Sequence, residues 1–389
     1  MTATLYRDCA LLDVEAGALR RDTSVLVRHG TVRWIRPADD EGPLPDGTEV
    51  VDAGGCTALP GMVDAHSHLT MPGGSHWIER GTDPTGDLLA VAEDNARLLR
   101  QAGVRWARDV GSPERDGRAL ALRVRDAWRG RPEYPYVRAA GTWLARAGTA
   151  PQGLLIEAED GDALLAAAHR QLDNGADLVK LYLDGPDRDT APFTSGEVRR
   201  VVEAAHARGA AVTAHSGTLP GARVAAEARV DCVEHGFTLD ADVAAAMAAG
   251  GVALVSTLAV LESWTTFAAT TGIPRFAGED GRAAVAARRE RAHESVRLAY
   301  RAGVLLAAGT DFGGGSLRAN QLAWEVQTLV AAGLPPATAL AAATVNGGRV
   351  LGEPDAGRLR EGGPADLVLV HGDPLSDPAA LWRVWRTSW

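Results

Sequence analysis

The segment Leu59-Pro60-Gly61-Met62-Val63-Asp64-Ala65-His66-Ser67-His68 decides how the rest of this 389-residue sequence is interpreted. A short apolar run that ends in His-x-His is typical of a buried strand, in which residues i and i+2 share a face. The spacing therefore predicts that His66 and His68 point to the same side at the end of one strand. Because neutral imidazole is the commonest protein ligand for zinc and similar ions, the pair is a candidate for part of a metal site.

From residue 59 onward, short apolar runs alternate with longer Ala-rich stretches of helical period, such as 195–208. This alternation is typical of repeated βα units. The apolar runs predict eight strands, over 61–65, 104–110, 136–141, 178–183, 211–214, 230–233, 252–257 and 304–308. Eight strand–helix units indicate an α/β fold of the (β/α)8 TIM-barrel type.

The two ends of the chain have a different sequence pattern from its middle. Residues 1–58 contain short strands separated by turns, and residues 354–389 return to that pattern, with strands predicted over 365–370 and 381–389. The simplest arrangement joins both ends in one small, discontinuous, sandwich-like β-domain beside the barrel, which occupies residues 59–353.

Composition narrows the functional classes. A formal net charge of −10 and a pI near 5.5 argue against a nucleic-acid or anionic-membrane partner. No apolar run reaches the roughly 18 residues of a membrane span, and the start lacks a signal-peptide pattern. The three cysteines, Cys9, Cys56 and Cys232, have no metal-site spacing. We therefore expect a cytoplasmic protein that acts on a small molecule, and the sequence is compatible with a homo-oligomer.

Further metal-compatible side chains lie within or at the ends of later predicted strands. They are Lys180 in the fourth strand, His215 after the fifth, His235 after the sixth and Asp311 after the eighth. In a (β/α)8 barrel the chemistry takes place at the carboxyl ends of the strands. We expect these four residues to lie at one rim with His66 and His68.

These motifs make the chain similar to the amidohydrolase superfamily, in the branch of prolidase-like and imidazolonepropionase-like enzymes. The resemblance covers nearly the whole chain and rests on 60–68, 108–111, 179–180, 214–215, 234–236, 308–311 and 365–368. It implies two divalent ions, most simply Zn²⁺, although manganese and cobalt accept similar ligands. In that family His66, His68 and Asp311 would bind the more buried ion, and His215 and His235 the more exposed one.

The resemblance also explains a lysine in a cation site. Lys180 would carry a carbamate made from CO2, whose two oxygens bridge both ions, because desolvation beside cations favours the free amine. A hydroxide between the ions would attack the carbonyl, and Asp311 would pass a proton to the leaving group. A lysine at a strand end can instead form an ion pair. A deaminase of this superfamily that uses a single ion would not need a bridging lysine at this position.

Substrate contacts are less well defined by the sequence. Tyr182 shares a strand face with Lys180, so its hydroxyl could bind substrate or its ring could pack in the core. His76 lies in the loop after the first predicted strand and is a second candidate contact. Two arginines near predicted strand ends, Arg146 and Arg318, are candidates for binding a substrate carboxylate.

Together these features predict a hydrolase of an amide or peptide C–N bond, with a dipeptide or an N-acyl amino acid as the first choice of substrate. One alternative is hydrolysis of a cyclic amide or deamination of a small heterocycle with a single ion, which a release of ammonia would favour. A further alternative is a catalytically inactive barrel that serves in binding.

Overall fold

The computed structural model describes residues 3–149 and 154–389, in which strands and helices alternate as in an α/β fold. The strands are β1 (Ala3–Asp13), β2 (Ala18–Arg28), β3 (Thr31–Pro37), β4 (Glu49–Asp52), β5 (Cys56–Pro60), β6 (Met62–Ser67), β7 (Val104–Asp109), β8 (Glu114–Arg115), β9 (Arg118–Ala119), β10 (Tyr136–Ala139), β11 (Trp143–Arg146), β12 (Leu155–Ala158), β13 (Leu178–Tyr182), β14 (Ala211–Ser216), β15 (Cys232–His235), β16 (Ala253–Ser256), β17 (Leu306–Ala308), β18 (Leu367–His371) and β19 (Val384–Thr387).

The helices are α1 (Trp77–Arg80), α2 (Thr85–Gln101), α3 (Leu120–Trp128), α4 (Gly161–Asp173), α5 (Ser195–His206), α6 (Leu219–Ala228), α7 (Ala241–Gly250), α8 (Leu258–Thr270), α9 (Pro274–Ala277), α10 (Glu279–Arg301), α11 (Leu322–Ala331), α12 (Pro336–Ala342) and α13 (Val345–Leu351). Helix α5, predicted over 195–208, begins with a capping box in which Thr194 and Glu197 bond each other's backbone N–H. Among the described residues, no helix combines the length and apolar character needed to cross a membrane.

Strands from both ends of the chain share one sheet. Its order is β19-β18-β5-β1-β2-β3, with β4 paired to β1, and β18 pairs antiparallel with β5. Strand β18, from the C-terminal part of the chain, therefore lies directly beside β5, which precedes the strand that contains His66. The strand predicted over 381–389 is shorter than expected, because a 3-10 helix over Pro378–Trp382 precedes β19. Asp377 caps that helix by accepting a hydrogen bond from the N–H of Ala379, and Pro378 occupies its first turn.

The remaining long strands are parallel. One sheet has the order β10-β7-β6 and another the order β12-β11-β13-β14-β15-β16-β17. Isolated parallel bridges join them, at Ala140 with Leu178 and at Ser67 with Phe312. Each of the eight predicted apolar runs overlaps a strand, but β15 lies two residues later than predicted, so His235 belongs to the strand itself. The short strands β11 and β12 were not predicted.

Candidate metal centre

Three side chains form a compact group of potential metal ligands. His66, His235 and Asp311 each offer one donor atom, and the three atoms lie within 4.8 Å of one another. His66 lies near the end of β6, His235 ends β15, and Asp311 lies three residues after β17. Because parallel strands present their carboxyl ends at one edge, distant parts of the chain meet at this point.

Two members of this group have an unusual backbone. The φ angle is +69° at His235 and +55° at Asp311, in the left-handed region that L-residues seldom adopt. Such a conformation costs about 1–2 kcal/mol per residue, so the surrounding structure must enforce it. Residues held in this way are concentrated at functional sites.

The histidine rings are held through their Nδ1 atoms. The partners are Glu234 for His66 (2.6 Å), the carbonyl of Gly111 for His68 (2.7 Å) and the Thr257 hydroxyl for His235 (2.8 Å). This arrangement leaves Nε2 free, as in metal-binding histidines oriented by an outer partner. Nε2 of His66 and of His68 lie 3.3 and 3.2 Å from Oδ1 of Asp311.

Glu234 connects this centre to a buried guanidinium. Its carboxylate accepts hydrogen bonds from Arg108 (2.5 Å), from Thr213 and from His66, and all of these side chains are buried. Burial alone would raise the pKa of Glu234, but Arg108 and, more weakly, His66 and Lys180 hold it well below its usual range. Glu234 is therefore ionised and anchors the His66 ring.

Lys180 is the only lysine in the sequence, and it is buried beside the centre. Its Nζ has no hydrogen-bond partner in the part of the chain that the structure describes. Burial lowers the pKa of Lys180 to about 8. The positive charge of Arg108 also lowers this pKa, whereas the negative charges of Glu234 and Asp311 raise it. A buried amine without a partner is unusual, because buried polar groups are nearly always hydrogen-bonded.

His215 lies at the same cavity but outside the compact group of three. Its Nε2 is 3.2 Å from Oδ2 of Asp184, and its ring stacks on Tyr182 with centroids 4.1 Å apart. Burial would raise the pKa of Asp184, yet His215 and hydrogen bonds from Thr218 and Gly217 lower it to about 2. That His215 and His235 share one ion stays a prediction.

A cavity of about 310 Å³ opens above the centre. Its lining includes all seven of the following predicted site residues: His66, His68, Lys180, Tyr182, His215, His235 and Asp311. The structure places His76 elsewhere, because this residue is exposed and its neighbour Trp77 lines the cavity. Arg146 and Arg318 do not line the cavity either, and each donates to a backbone carbonyl, that of Pro192 and that of Pro72.

Three participants were missed by the sequence analysis. Glu234 and Asp184 orient histidines, and Arg288 lines the cavity from helix α10. Glu234 immediately precedes His235 in the sequence, and Asp184 follows Tyr182 by two residues. Their position beside candidate site residues could therefore have indicated both acids. Arg288 had no such signal, since it lies in a long helix rather than near a strand end.

The donor set fits a divalent ion. Imidazole nitrogens and a carboxylate converge, and each imidazole is oriented by a hydrogen bond at Nδ1. The Lys180 amine, which has no partner among the residues that the structure describes, lies beside them. These are the ligand types that zinc and related ions accept. The structure therefore defines the chain as an α/β protein with a candidate divalent-metal centre at the ends of its parallel strands.

Comparisons place the chain more narrowly. The profile described as the amidohydrolase family matches residues 57–386, so the chain belongs to that family, as its sequence motifs predicted. An uncharacterized protein of Mycobacterium tuberculosis is 35% identical over 347 residues, which cover 87% of this chain and 85% of that protein. Ochratoxinase of Aspergillus niger is 29% identical over 260 residues, which cover 63% of this chain and 52% of that enzyme.

Solved structures agree with this assignment of the fold. A Xaa-Pro dipeptidase with bound methionine in the active site superimposes with a TM-score of 0.84 at 24% identity, covering 99% of this chain and 98% of that one. Membership of the family supports a hydrolase that acts on carbon–nitrogen bonds, and amidohydrolases generally bind divalent metals.

Proposed function

We propose that the protein is a metal-dependent amidohydrolase that cleaves the amide or peptide C–N bond of a dipeptide or an N-acyl amino acid. The observation that carries this proposal is Lys180. The only lysine of the chain is a buried amine to which residues 3–149 and 154–389 offer no hydrogen-bond partner, and it lines the same cavity as His66, His235 and Asp311.

Two divalent ions, most simply Zn²⁺, fit the residues present. His66, His68 and Asp311 would hold one ion, and His215 and His235 the other, and a modified Lys180 would supply further oxygen ligands. Such ions, when bound, polarise an amide carbonyl and generate hydroxide from water near neutral pH. This chain's side chains orient the ligands, hold the substrate and move the proton.

Lys180 is suited to become a carbamate. With a pKa of about 8, roughly a tenth of this amine is neutral at pH 7. The Nζ lone pair would attack the carbon of CO2, an N–C bond would form as one C=O π bond opens onto oxygen, and the proton lost from Nζ would pass to water. The product is an anion with two oxygens, which replaces a cation-repelling ammonium by two ligand atoms.

Asp311 is suited to carry the proton. Burial would raise the pKa of this carboxyl, but the His66 and His68 rings beside its Oδ1 lower it well below its usual range. The carboxylate is therefore ionised before reaction and able to accept a proton from the attacking water. It would then transfer that proton to the departing nitrogen, which leaves as a neutral amine.

The cavity suits a small substrate with an apolar part. Trp77, Trp143, Phe237 and Trp264 form much of its wall. A volume of about 310 Å³ is at the lower end of the usual range for small-molecule sites. The similarity to a Xaa-Pro dipeptidase supports a peptide-like amide.

The same proposal includes the finer architecture. We infer a closed (β/α)8 barrel, because the pairing runs β6-β7-β10, crosses the Ala140–Leu178 bridge to β13 through β17, and returns over the Phe312–Ser67 bridge to β6. This ring contains eight strands. The sheet made by both chain ends supports a separate β-domain of residues 1–58 and 354–389.

The test is a hydrolysis screen on purified protein with measured metal content. Dipeptides and N-acyl amino acids are scored separately for released amino acid and released ammonia. We expect amino-acid release that a chelator abolishes and Zn²⁺, Mn²⁺ or Co²⁺ restores. Ammonia release alone would instead indicate a deaminase. Less than about one ion per chain after reconstitution, with no turnover, would indicate a binding protein.

A further inference from the structure

Two more buried nitrogen donors on the cavity wall lack partners. They are Nε of Arg288 and Nε1 of Trp264, and within the described residues neither donates a hydrogen bond. Both side chains line the cavity that contains the candidate metal centre. Since nearly all buried donors in folded proteins are paired, these two neighbouring donors are candidates to bind an acceptor group of a ligand.

The guanidinium of Arg288 is held by aromatic rings and not by an acid. Its central carbon lies 4.9 Å from the ring centroid of Phe237 and 5.4 Å from that of Trp264. No carboxylate of the described residues forms an ion pair with it. Its planar face is therefore positioned by packing, and its donors remain available.

Asp184 lies near Arg288, but its carboxylate is already hydrogen-bonded to other groups. A Cβ built on Gly217 would lie 3.0 Å from Nη2 of Arg288 and 3.1 Å from Oδ2 of Asp184, so both groups border the same space. The Asp184 oxygens accept hydrogen bonds from the N–H of Gly217 (3.0 Å), from the Thr218 hydroxyl (2.9 Å) and from His215 (3.2 Å). The charge of Arg288 thus has no dedicated counter-charge.

The surroundings favour an anion. A second cavity of about 350 Å³ shares Trp77, Trp264 and Arg288 with the first. Its remaining charged lining residues are all arginines: Arg188, Arg275 and Arg291. In a protein whose net charge is −10, this concentration of positive charge at one side of the cavity attracts negatively charged ligands.

We propose that Arg288, assisted by the indole N–H of Trp264, binds the free carboxylate of the substrate. The substrate class is then an N-acyl amino acid or dipeptide with an unblocked α-carboxylate, whose amide faces the metal centre. A guanidinium fork matches carboxylate geometry, and a neighbouring N–H adds a further donor. The choice of substrate class rests on the proposed amide hydrolysis, while the anion site itself does not.

The test measures binding to metal-depleted protein, so that no probe is hydrolysed. The probes are N-acetyl-L-phenylalanine, N-acetyl-L-methionine and N-acetyl-L-proline, each beside its carboxamide, titrated by calorimetry. We expect at least one carboxylate to bind roughly 10- to 100-fold more tightly than its carboxamide. Arg288→Gln should remove that preference and leave carboxamide binding within about threefold. Trp264→Phe should reduce it partly.

The matched control is Arg291→Gln, which removes the same charge from the same helix but from a residue that lines only the outer cavity. It should leave the preference within about threefold. Thermal unfolding of each variant shows whether it is folded, and Arg288→Lys, which keeps the charge without the fork, should be intermediate. No preference for carboxylates in the wild type, or a preference that Arg288→Gln retains, overturns the proposal.

Kinetics on the metal-loaded protein separate this proposal from the proposed function. Arg288→Gln should raise KM for a carboxylate substrate at unchanged metal content. If no amide is hydrolysed but the binding preference depends on Arg288, the proposed function fails and the anion site stands. If amides are hydrolysed and Arg288→Gln leaves KM unchanged, only the anion site fails.

Discussion

Oε2 of Glu234 lies 2.6 Å from Nδ1 of His66, and Oε1 of the same carboxylate lies 2.5 Å from Nη2 of Arg108. One buried acid thus orients a candidate metal ligand and neutralises a buried guanidinium. Orientation of the ligand and stability of the fold depend on the same side chain, so one substitution should affect both.

Glu234→Gln keeps the size of this side chain and removes its charge. We expect the metal affinity to fall by about 10- to 100-fold, because the His66 ring loses its anionic partner. The free energy of unfolding should fall by about 3 kcal/mol, since Arg108 is left as an uncompensated buried charge. Chelator competition and urea unfolding measure the two effects.

The control for this variant is Asp366→Asn. Asp366 pairs with Arg105 at 2.9 Å, and neither residue lines the cavity. It should lower stability without changing metal affinity. A Glu234→Gln protein with the metal affinity of the wild type would contradict the orienting role of Glu234.

Lys180→Ala should lower metal content and reduce turnover by roughly 100-fold or more, because the bridging anion is lost. Short carboxylic acids, added with CO2, should restore part of the activity, because the acid supplies the two oxygens that the alanine side chain lacks. Lys180→Arg should fail as well, since arginine stays protonated and cannot become a carbamate. Metal analysis and initial rates check both variants, and a fully active Lys180→Arg protein would rule out the carbamate.

Asp311→Asn should reduce turnover by roughly 1,000-fold or more, because an amide cannot accept the proton. Its stability should change little, since asparagine tolerates the left-handed backbone with φ +55°. Asp311→Ala should lose activity and also about 1 kcal/mol of stability from backbone strain. Urea unfolding separates the two variants; equal stability would show that the backbone at this residue is unstrained.

His76→Ala tests a predicted substrate contact that the structure places outside the cavity. Because His76 is exposed, we expect kcat and KM within about twofold of the wild type. Tyr182→Phe is the comparison, since Tyr182 lines the cavity. A large rise in KM for His76→Ala would show that the loop before α1 closes over the substrate.

Glu325 should make stability depend on pH. It is buried, accepts hydrogen bonds from Ser256 and from the N–H of Ala259, and burial raises its pKa to about 7. Between about pH 4.5 and 7 the folded protein binds more protons than the unfolded chain, so stability decreases as pH rises through this window. Above about pH 7 Glu325 is ionised in both the folded and the unfolded protein, so its unfavourable contribution to stability no longer changes with pH.

Glu325→Gln removes that contribution. The difference in the free energy of unfolding between variant and wild type should move in the variant's favour from pH 5 to pH 8, by about 3 kcal/mol at most. The charge of Asp64, whose pKa is also raised to about 7, contributes to the raised pKa of Glu325, so the measured difference includes the interaction of these two carboxyls. A difference that does not change with pH would show that Glu325 is ionised throughout.

The sequence predicted those parts of the site that follow from local geometry. His66 and His68 share a face because of strand alternation, and candidate ligands at strand ends converge because the strands are parallel. The positions of the helices relative to the cavity were harder to predict from the sequence. A helix that begins at Trp77 brings that ring into the cavity and leaves His76 outside, and one residue decides which of them faces the substrate. Arg288 reaches the cavity only through the packing of α10, which local patterns do not encode.

The single buried amine also makes the protein unusually easy to observe. Apart from the α-amino group, Lys180 carries the only primary amine in the chain, whereas the other 39 of its 40 basic residues are arginines. A protein incubated with ¹³C-bicarbonate should therefore show one side-chain carbamate resonance, with no background from surface lysines. Its intensity would report the fraction of molecules with a complete centre, directly and without a substrate.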